Sequence, residues 1–214
     1  MNLDAIRNDF PILSRTIRGK PLVFLDSGAS AQKPRAVIDA MRDAMENQYS
    51  NVHRGVHFLS ERTTEAHEAC RDAVAKLMNA RDRDEIVFTK NVTESLNLVA
   101  HSFGRGVLKP GQAVAVSAME HHSNIVPWQM LRDAHGIELR VIPIDDAGEL
   151  DMAALEQILS DRKVGLVSVT HMSNVLGTVT PAQRIAALAH SYGAKVMFDG
   201  AQAIVHRAVD VQAL

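Results

Sequence analysis

The residue with the clearest chemical potential is Asp199, which closes an apolar run of sequence KVMFD (195–199). A carboxylate there is partly removed from water, so it needs a partner that offsets the desolvation of its charge. One such partner is the protonated nitrogen of a pyridine ring, because an aspartate that holds this proton keeps the ring an electron sink. The alternative is structural, with the carboxylate capping the next turn through the backbone amides of Gly200 or Ala201.

A second candidate is the stretch TKNVTES (89–95), which has the form of a phosphate site at the beginning of a helix. Backbone amides of a first helical turn, together with the hydroxyl of Thr93, could bind a phosphate dianion near the positive end of the helix dipole. The alternative is ordinary capping, in which Asn91 is the N-cap and Glu94 closes a capping box. Both interpretations stay open, because a capped helix can still present other amides to a ligand.

Two adjacent histidines and two amide side chains are further candidates. His121 and His122 lie between an apolar run and a predicted helix, and one imidazole could stack on an aromatic cofactor and transfer protons near neutral pH. Asn174 and Gln202 could each donate a hydrogen bond to a phenolate-like oxygen of a bound ring. Taken singly, residues of either amide type occur more often in loops and helix caps.

The sequence spacing predicts no metal site and no reactive cysteine. Adjacent histidines rarely reach one ion together, and the spacings His53 to His57 and His67 to Cys70 assemble no set of three or four zinc ligands. The pattern HEACRDAVAKLM (67–78) places Cys70 on or near the buried stripe of a helix, so we predict a small core residue.

The elements that must position these residues alternate between helical and strand-like periodicity. Short apolar strands separated by helices predict an α/β fold with a mainly parallel sheet and helices on both faces. Ligands of such sheets bind beyond the carboxyl ends of the strands, and candidate residues follow four of them. The predicted strands are EIVFT (85–89), AVAVSA (113–118), LRVIPI (139–144), GLVSVT (165–170) and KVMFD (195–199).

Composition limits the class of protein. The chain has 214 residues, of which 46% are hydrophobic, and its net charge of −2 gives no reason to expect nucleic acid or a membrane surface as partner. The N-terminus lacks the layout of a signal peptide and the single cysteine does not favour an oxidising compartment, so we expect a cytoplasmic protein. We predict an irregular N-terminal arm over 1–33 and one incomplete large domain over 34–214.

Four motifs in order along the chain resemble those of the SufS-type cysteine desulfurases, which belong to the class-V aminotransferases and use pyridoxal 5′-phosphate. The resemblance implies the large domain of a fold type I transferase. It also implies conversion of L-cysteine to L-alanine, with sulfur passed as a persulfide to an acceptor protein for iron–sulfur cluster assembly, in a homodimer. The motifs are NVHRGVH (51–57), MEHHSNIVPWQ (119–129), THMSNVLGT (170–178) and DGAQA (199–203).

The resemblance also implies roles for matching positions. His122 would be catalytic, stacking on the pyridine ring and assisting proton transfer, and Asp199 would pair with the ring nitrogen. Asn174 and Gln202 would contact the phenolic oxygen of the ring, and Thr93 would bind the phosphate. The phosphate assignment departs from the family pattern, which often has Gly-Thr where this chain has Asn-Val at 91–92.

His53 and Arg54 would lie in the vicinity of the substrate, at the entrance of the active site. The family's Schiff-base lysine and persulfide-forming cysteine come later than Leu214, so we expect an N-terminal portion of such an enzyme that is inactive alone. A selenocysteine lyase, another class-V enzyme, and a non-catalytic truncated or split chain remain alternatives.

Overall fold

The computed structural model describes residues 2–214. These residues divide into two compact units, the first ending at Val74 and the second comprising Ala75–Leu214. The assignment of an arm over 1–33 and a domain over 34–214 places a boundary elsewhere and remains a prediction.

The first unit is built mainly from helices and carries little buried surface. Among residues 2–74, only Ser60 is buried. The guanidinium of Arg7 donates hydrogen bonds to the backbone oxygens of Leu13 and Leu22 at 2.9 and 2.8 Å, so polar contacts order the beginning of the chain. Its elements are α1 (Leu3–Asn8), a 3₁₀ turn (Pro11–Ser14), the antiparallel pair β1 (Thr16–Ile17) and β2 (Lys20–Pro21), α2 (Arg35–Asp43), a π turn (Ala44–Gln48) and most of α3 (Phe58–Met78).

The second unit alternates helices and strands, as the periodicity predicts. Its strands are β3 (Ala113–Ser117), β4 (Glu138–Ile142), β5 (Val164–Thr170) and β6 (Lys195–Asp199). Its α-helices are α4 (Val92–Val99), α5 (Arg105–Val107), α6 (Val126–His135), α7 (Met152–Leu159), α8 (Ala182–Ser191) and α9 (Ala203–His206). A π turn (Ala100–Gly104) and two 3₁₀ turns (Arg83–Glu85 and His122–Asn124) complete it.

Within residues 75–214, four parallel strands form one sheet in the order β4-β3-β5-β6. A helix lies in each connection: α6 precedes β4, α7 precedes β5 and α8 precedes β6. The predicted α/β fold is confirmed, and the four strands predicted from 113 onward form within one residue of their expected beginnings.

The predicted strand at 85–89 is wrong. Residues 83–85 form a 3₁₀ turn, and residues 86–89 are not assigned to a strand. Val87 and Phe88 are 66% and 42% exposed. An apolar run does not by itself specify a strand, because strand formation depends on elements that are distant in the chain.

The central strands β3 and β5 are buried on both faces, and their successive residues point to opposite sides of the sheet. Ala113 and Ala115 of β3 pack into a cluster with Leu155 of α7 and Ile185 of α8. The residues between and after them, Val114 and Val116, pack on the other face into a cluster with Trp128 of α6. Among the described helices, none combines the length and apolar character needed to cross a membrane.

Replacement of Leu155, which is fully buried, tests this packing. We expect Leu155→Ala to lower the free energy of unfolding by about 2–5 kcal/mol, because it removes buried methyl groups and leaves a cavity. Urea denaturation followed by far-UV circular dichroism measures the change. Leu98→Ala is the control, since Leu98 is 48% exposed and should cost far less. Equal losses for the two variants would contradict the described core.

Candidate cofactor site

Asp199 is the last residue of β6 and is 5% exposed, as expected for a carboxylate that closes an apolar strand. Its Oδ1 accepts a hydrogen bond from the backbone amide of Ala201 at 3.0 Å. Its backbone oxygen accepts from the amide of His171 at 2.9 Å, which joins the ends of β5 and β6. Asp199 therefore caps the turn that follows β6, as the structural alternative from the sequence predicted, and it does so through Oδ1.

A second buried carboxylate, Glu120, follows β3 and is 9% exposed. It accepts hydrogen bonds from the Ser117 hydroxyl, from Asn124 Nδ2 at 2.7 Å and from the backbone amide of Thr170 at 2.8 Å. Burial raises the pKa of Glu120, the three hydrogen bonds oppose that rise, and the negative charge of Asp199 adds to it. Two carboxyl groups thus lie at the carboxyl edge of the sheet in a region removed from water.

Asn124 connects this carboxylate to the rest of the second unit. It is fully buried, and its Oδ1 accepts from Trp128 Nε1 at 3.0 Å and from the Ser168 hydroxyl at 2.6 Å. Its Nδ2 donates to Glu120. One side chain therefore joins α6, β5 and the turn after β3, and every buried side-chain nitrogen and oxygen among the described residues has a partner.

His121 and His122 lie in the turn between Glu120 and Asn124. His121 Nδ1 accepts from the backbone amide of Ser123 at 3.2 Å and contacts its hydroxyl at 2.7 Å. The two imidazole centroids are 4.0 Å apart, with planes inclined by 37°. His121 thus caps the 3₁₀ turn, and the exposed His122 is presented at the carboxyl end of β3.

Helix α4 begins at Val92 with the cap that the sequence indicates. Asn91 Oδ1 accepts from the amide of Glu94 at 2.9 Å, which confirms the N-cap. Glu94 Oε2 accepts from the amide of Lys90 at 2.6 Å, one residue earlier than in a standard capping box. Thr93 is exposed in the first turn of the helix. Its role in phosphate binding stays a prediction.

The two predicted amide ligands lie on different segments. Asn174 is exposed in the turn that follows β5, where the Ser173 hydroxyl accepts from the amides of Val175 and Leu176 at 3.3 and 3.1 Å. Gln202 is half-buried immediately before α9. Their contact with a cofactor oxygen stays a prediction.

A cavity of about 730 Å³ lies along β6 within the second unit. Phe198 lines it, whereas Asp199, the next residue of the strand, points to the opposite face. His171 also lines the cavity. The pKa of the His171 imidazole is lowered, mainly by burial and secondly by the positive charge of Arg207. The centroids of the His171 and Phe198 rings are 5.7 Å apart. None of the five predicted cofactor ligands is among the described residues that line the cavity. The cavity is therefore separate from the face of the sheet that carries the Asp199 side chain.

The remaining predicted residues belong to the first unit. His53 has a left-handed backbone (φ 63°), its amide donates to Thr64 Oγ1 at 3.0 Å, and Arg54 beside it is exposed. The prediction that Cys70 is a core residue is wrong, because its side chain lies on the exposed side of α3. The helical period identifies a stripe but does not establish that another element covers it.

Sequence reasoning did not single out Glu120, Asn124 and Ser168 as functional residues. The available signal for Ser168 was a polar residue inside the apolar run GLVSVT (165–170), where the pattern predicts a buried strand. A buried polar residue requires a partner, but the partner of Ser168 is 44 residues away in the chain and cannot be read from local spacing.

Residues 23–214 match the family described as aminotransferase class-V. The chain belongs to the class-V aminotransferase family. This class-V chain is 55% identical over 212 residues to a cysteine desulfurase of Dickeya dadantii (strain 3937), covering 99% of the chain and 51% of the relative. A cysteine desulfurase of Escherichia coli (strain K12 / DH10B) is 49% identical over 213 residues, which cover 100% of the chain and 52% of the relative.

Solved structures give the same result for the fold of the class-V chain. The cysteine desulfurase CsdA of Escherichia coli aligns with a TM-score of 0.87 at 37% identity, covering 99% of this chain and 52% of that structure. The apo cysteine desulfurase of Thermococcus onnurineus NA1 aligns with a TM-score of 0.90 at 36% identity, covering 99% and 50%. The chain spans about half the length of the relatives it matches.

The raised pKa of Glu120 predicts that its contribution to stability falls as the pH rises. The folded chain binds this proton more tightly than the unfolded chain, whose carboxyl has the ordinary pKa of 4.5. The contribution is fully present below pH 4.5 and is lost as the pH rises through the raised folded pKa.

We therefore expect Glu120→Gln to remove this component and flatten the dependence of the free energy of unfolding on pH above 4.5. Urea denaturation at a series of pH values measures it, and Glu149→Gln, at an exposed carboxylate, should keep the wild-type slope. An unchanged slope in Glu120→Gln would contradict the assignment.

Proposed function

We propose that this chain is part of a cysteine desulfurase that uses pyridoxal 5′-phosphate, converts L-cysteine to L-alanine and passes the sulfur on as a persulfide. The observation that carries the proposal is the buried carboxylate of Asp199 at the carboxyl end of β6. Its charge contributes to the raised pKa of the neighbouring Glu120. The relatives named cysteine desulfurase, at up to 55% identity, supply the reaction class.

The residues present fit this cofactor chemically. Glu120 and Asp199 place two carboxyl groups in a buried region, and a cation on a ligand would offset the cost of ionising them there. A protonated pyridine nitrogen is such a cation, and an aspartate is the partner that keeps it protonated. When bound, the cofactor supplies an electron sink for negative charge that develops at the α-carbon of the substrate.

Each predicted ligand has a task in this proposal. Asp199 would hold the proton of the ring nitrogen, and His122 would stack on the ring face and assist proton transfer. Thr93 would bind the phosphate with the amides of the first turn of α4. Asn174 and Gln202 would donate hydrogen bonds to the phenolic oxygen.

The activity is proposed for a protein that also carries the remaining half of the length of the relatives. In that protein His53 and Arg54 would lie near the substrate. A sulfur-acceptor protein of iron–sulfur cluster assembly would be its partner, a homodimer its assembly and the cytoplasm its location. Selenocysteine lyase activity would use the same residues, so an assay with L-selenocysteine beside L-cysteine separates the two substrates.

Replacement of Asp199 tests the proposal in the full-length enzyme. We expect Asp199→Asn to lower kcat/KM for alanine formation from L-cysteine by about 10²–10³-fold, because an amide cannot stabilise the charge of the ring nitrogen. The absorption spectrum of the bound cofactor should shift in the same variant. Asp133→Asn is the control, since Asp133 is an exposed carboxylate paired with Arg132 at 2.8 Å. Wild-type activity and spectrum in Asp199→Asn would contradict the role of Asp199.

A further inference from the structure

Among the described residues, three side chains that can ligate a metal converge in the first unit. His53, His67 and Glu68 each offer one ligand atom, and these atoms all lie within 4.8 Å of one another. The first and second of them are separated by 13 residues in the chain, so the sequence spacing does not reveal the group.

Hydrogen bonds between α3 and the loop at 51–57 bring His53 to the other two residues. The buried Ser60 donates to the backbone oxygen of Asn51 at 2.7 Å and accepts from the amide of Gly55 at 3.0 Å. Thr64, one turn further along the helix, accepts from the amide of His53 at 3.0 Å. His67 and Glu68 lie on the following turn of α3, so the loop delivers His53 to that part of the helix.

One pair of ligand atoms has a separation close to that in a tetrahedral site. His53 Nε2 lies 3.2 Å from Glu68 Oε1. Zinc binds imidazole nitrogen and carboxylate oxygen at about 2.0–2.2 Å, which places two tetrahedral ligand atoms roughly 3.3–3.5 Å apart. Two histidines and one glutamate form a known three-ligand set for zinc, with the fourth position open to water.

Arg71 orients two of the three ligands. Its Nε contacts Glu68 Oε2 at 3.3 Å, while Oε1 of that carboxylate is the oxygen beside His53. Its guanidinium also lies 3.2 Å from His67 Nε2. A guanidinium only donates, so this ring nitrogen carries a lone pair, which is the form of histidine that binds a metal. A metal ion would compete with Arg71 for His67 Nε2, or use the other ring nitrogen.

We propose that His53, His67 and Glu68 bind a divalent transition metal ion of the zinc class. The ion would link the loop at 51–57 to α3 in a unit where Ser60 is the only buried residue among 2–74. A ligand that binds only the folded form stabilises it, and a unit with so little buried surface has few other contributions. This inference does not rest on the proposed function, although His53 is also one of the two residues predicted to lie near the substrate.

Titration of Zn²⁺ alone into the chelator-treated 214-residue chain tests the site, with isothermal calorimetry as the measurement. We expect one equivalent to bind, and His67→Ala to weaken the affinity at least tenfold, because one of three ligands is lost. Glu68→Gln has nearly the same shape and should weaken it similarly. The control is His101→Ala, which removes an exposed histidine outside the cluster and should bind Zn²⁺ like the wild type.

Absence of binding by the wild type, or wild-type affinity in His67→Ala and Glu68→Gln, would overturn the proposal. Circular dichroism checks that each variant is folded. Nuclear magnetic resonance of the wild-type chain tests the site without any variant that could misfold. One equivalent of Zn²⁺ should shift the ring proton resonances of two of the ten histidines, and no shift or a uniform shift of all ten would overturn the site.

Discussion

The hydrogen bond between the Glu120 carboxylate and the Asn124 amide is the interaction on which the carboxyl edge of the sheet depends. Glu120 needs three donors to remain buried, and Asn124 supplies one while it accepts from Trp128 and Ser168. Loss of the Asn124 side chain would remove one donor from Glu120 and this acceptor from both Trp128 and Ser168, which costs more than a single hydrogen bond contributes. The turn that carries the adjacent histidines is therefore fixed at both ends by buried contacts.

This arrangement also explains why the edge is suited to a cationic ligand. The donors to Glu120 are neutral, and its burial and the charge of Asp199 raise its pKa, so a cation at this edge would stabilise the ionised form. The Arg140 guanidinium, by contrast, pairs with Asp161 at 2.8 Å near the surface and lowers the pKa of that carboxyl to about 2. The carboxylate of Asp161 thus has a cationic partner, whereas the three hydrogen-bond donors to Glu120 are neutral.

The sequence predicted those features that depend on neighbours in the chain. Strand β6, the cap at Asn91 and the burial of Asp199 follow from apolar runs and short spacings. The failed strand at 85–89 and the exposed Cys70 have one cause, since a local pattern cannot show whether another element pairs with it or covers it. Contacts such as that between Thr170 and Glu120, 50 residues apart, arise only from the order of strands in the sheet.

Trp128 gives this network an optical property. It is the single tryptophan of the chain, it is fully buried, and its indole nitrogen donates to Asn124. Intrinsic emission excited in the indole band therefore comes from one fluorophore that is hydrogen-bonded directly into the polar network. Any ligand, proton or substitution that rearranges the network changes the surroundings of that one indole, so the chain carries an internal spectroscopic reporter without any label.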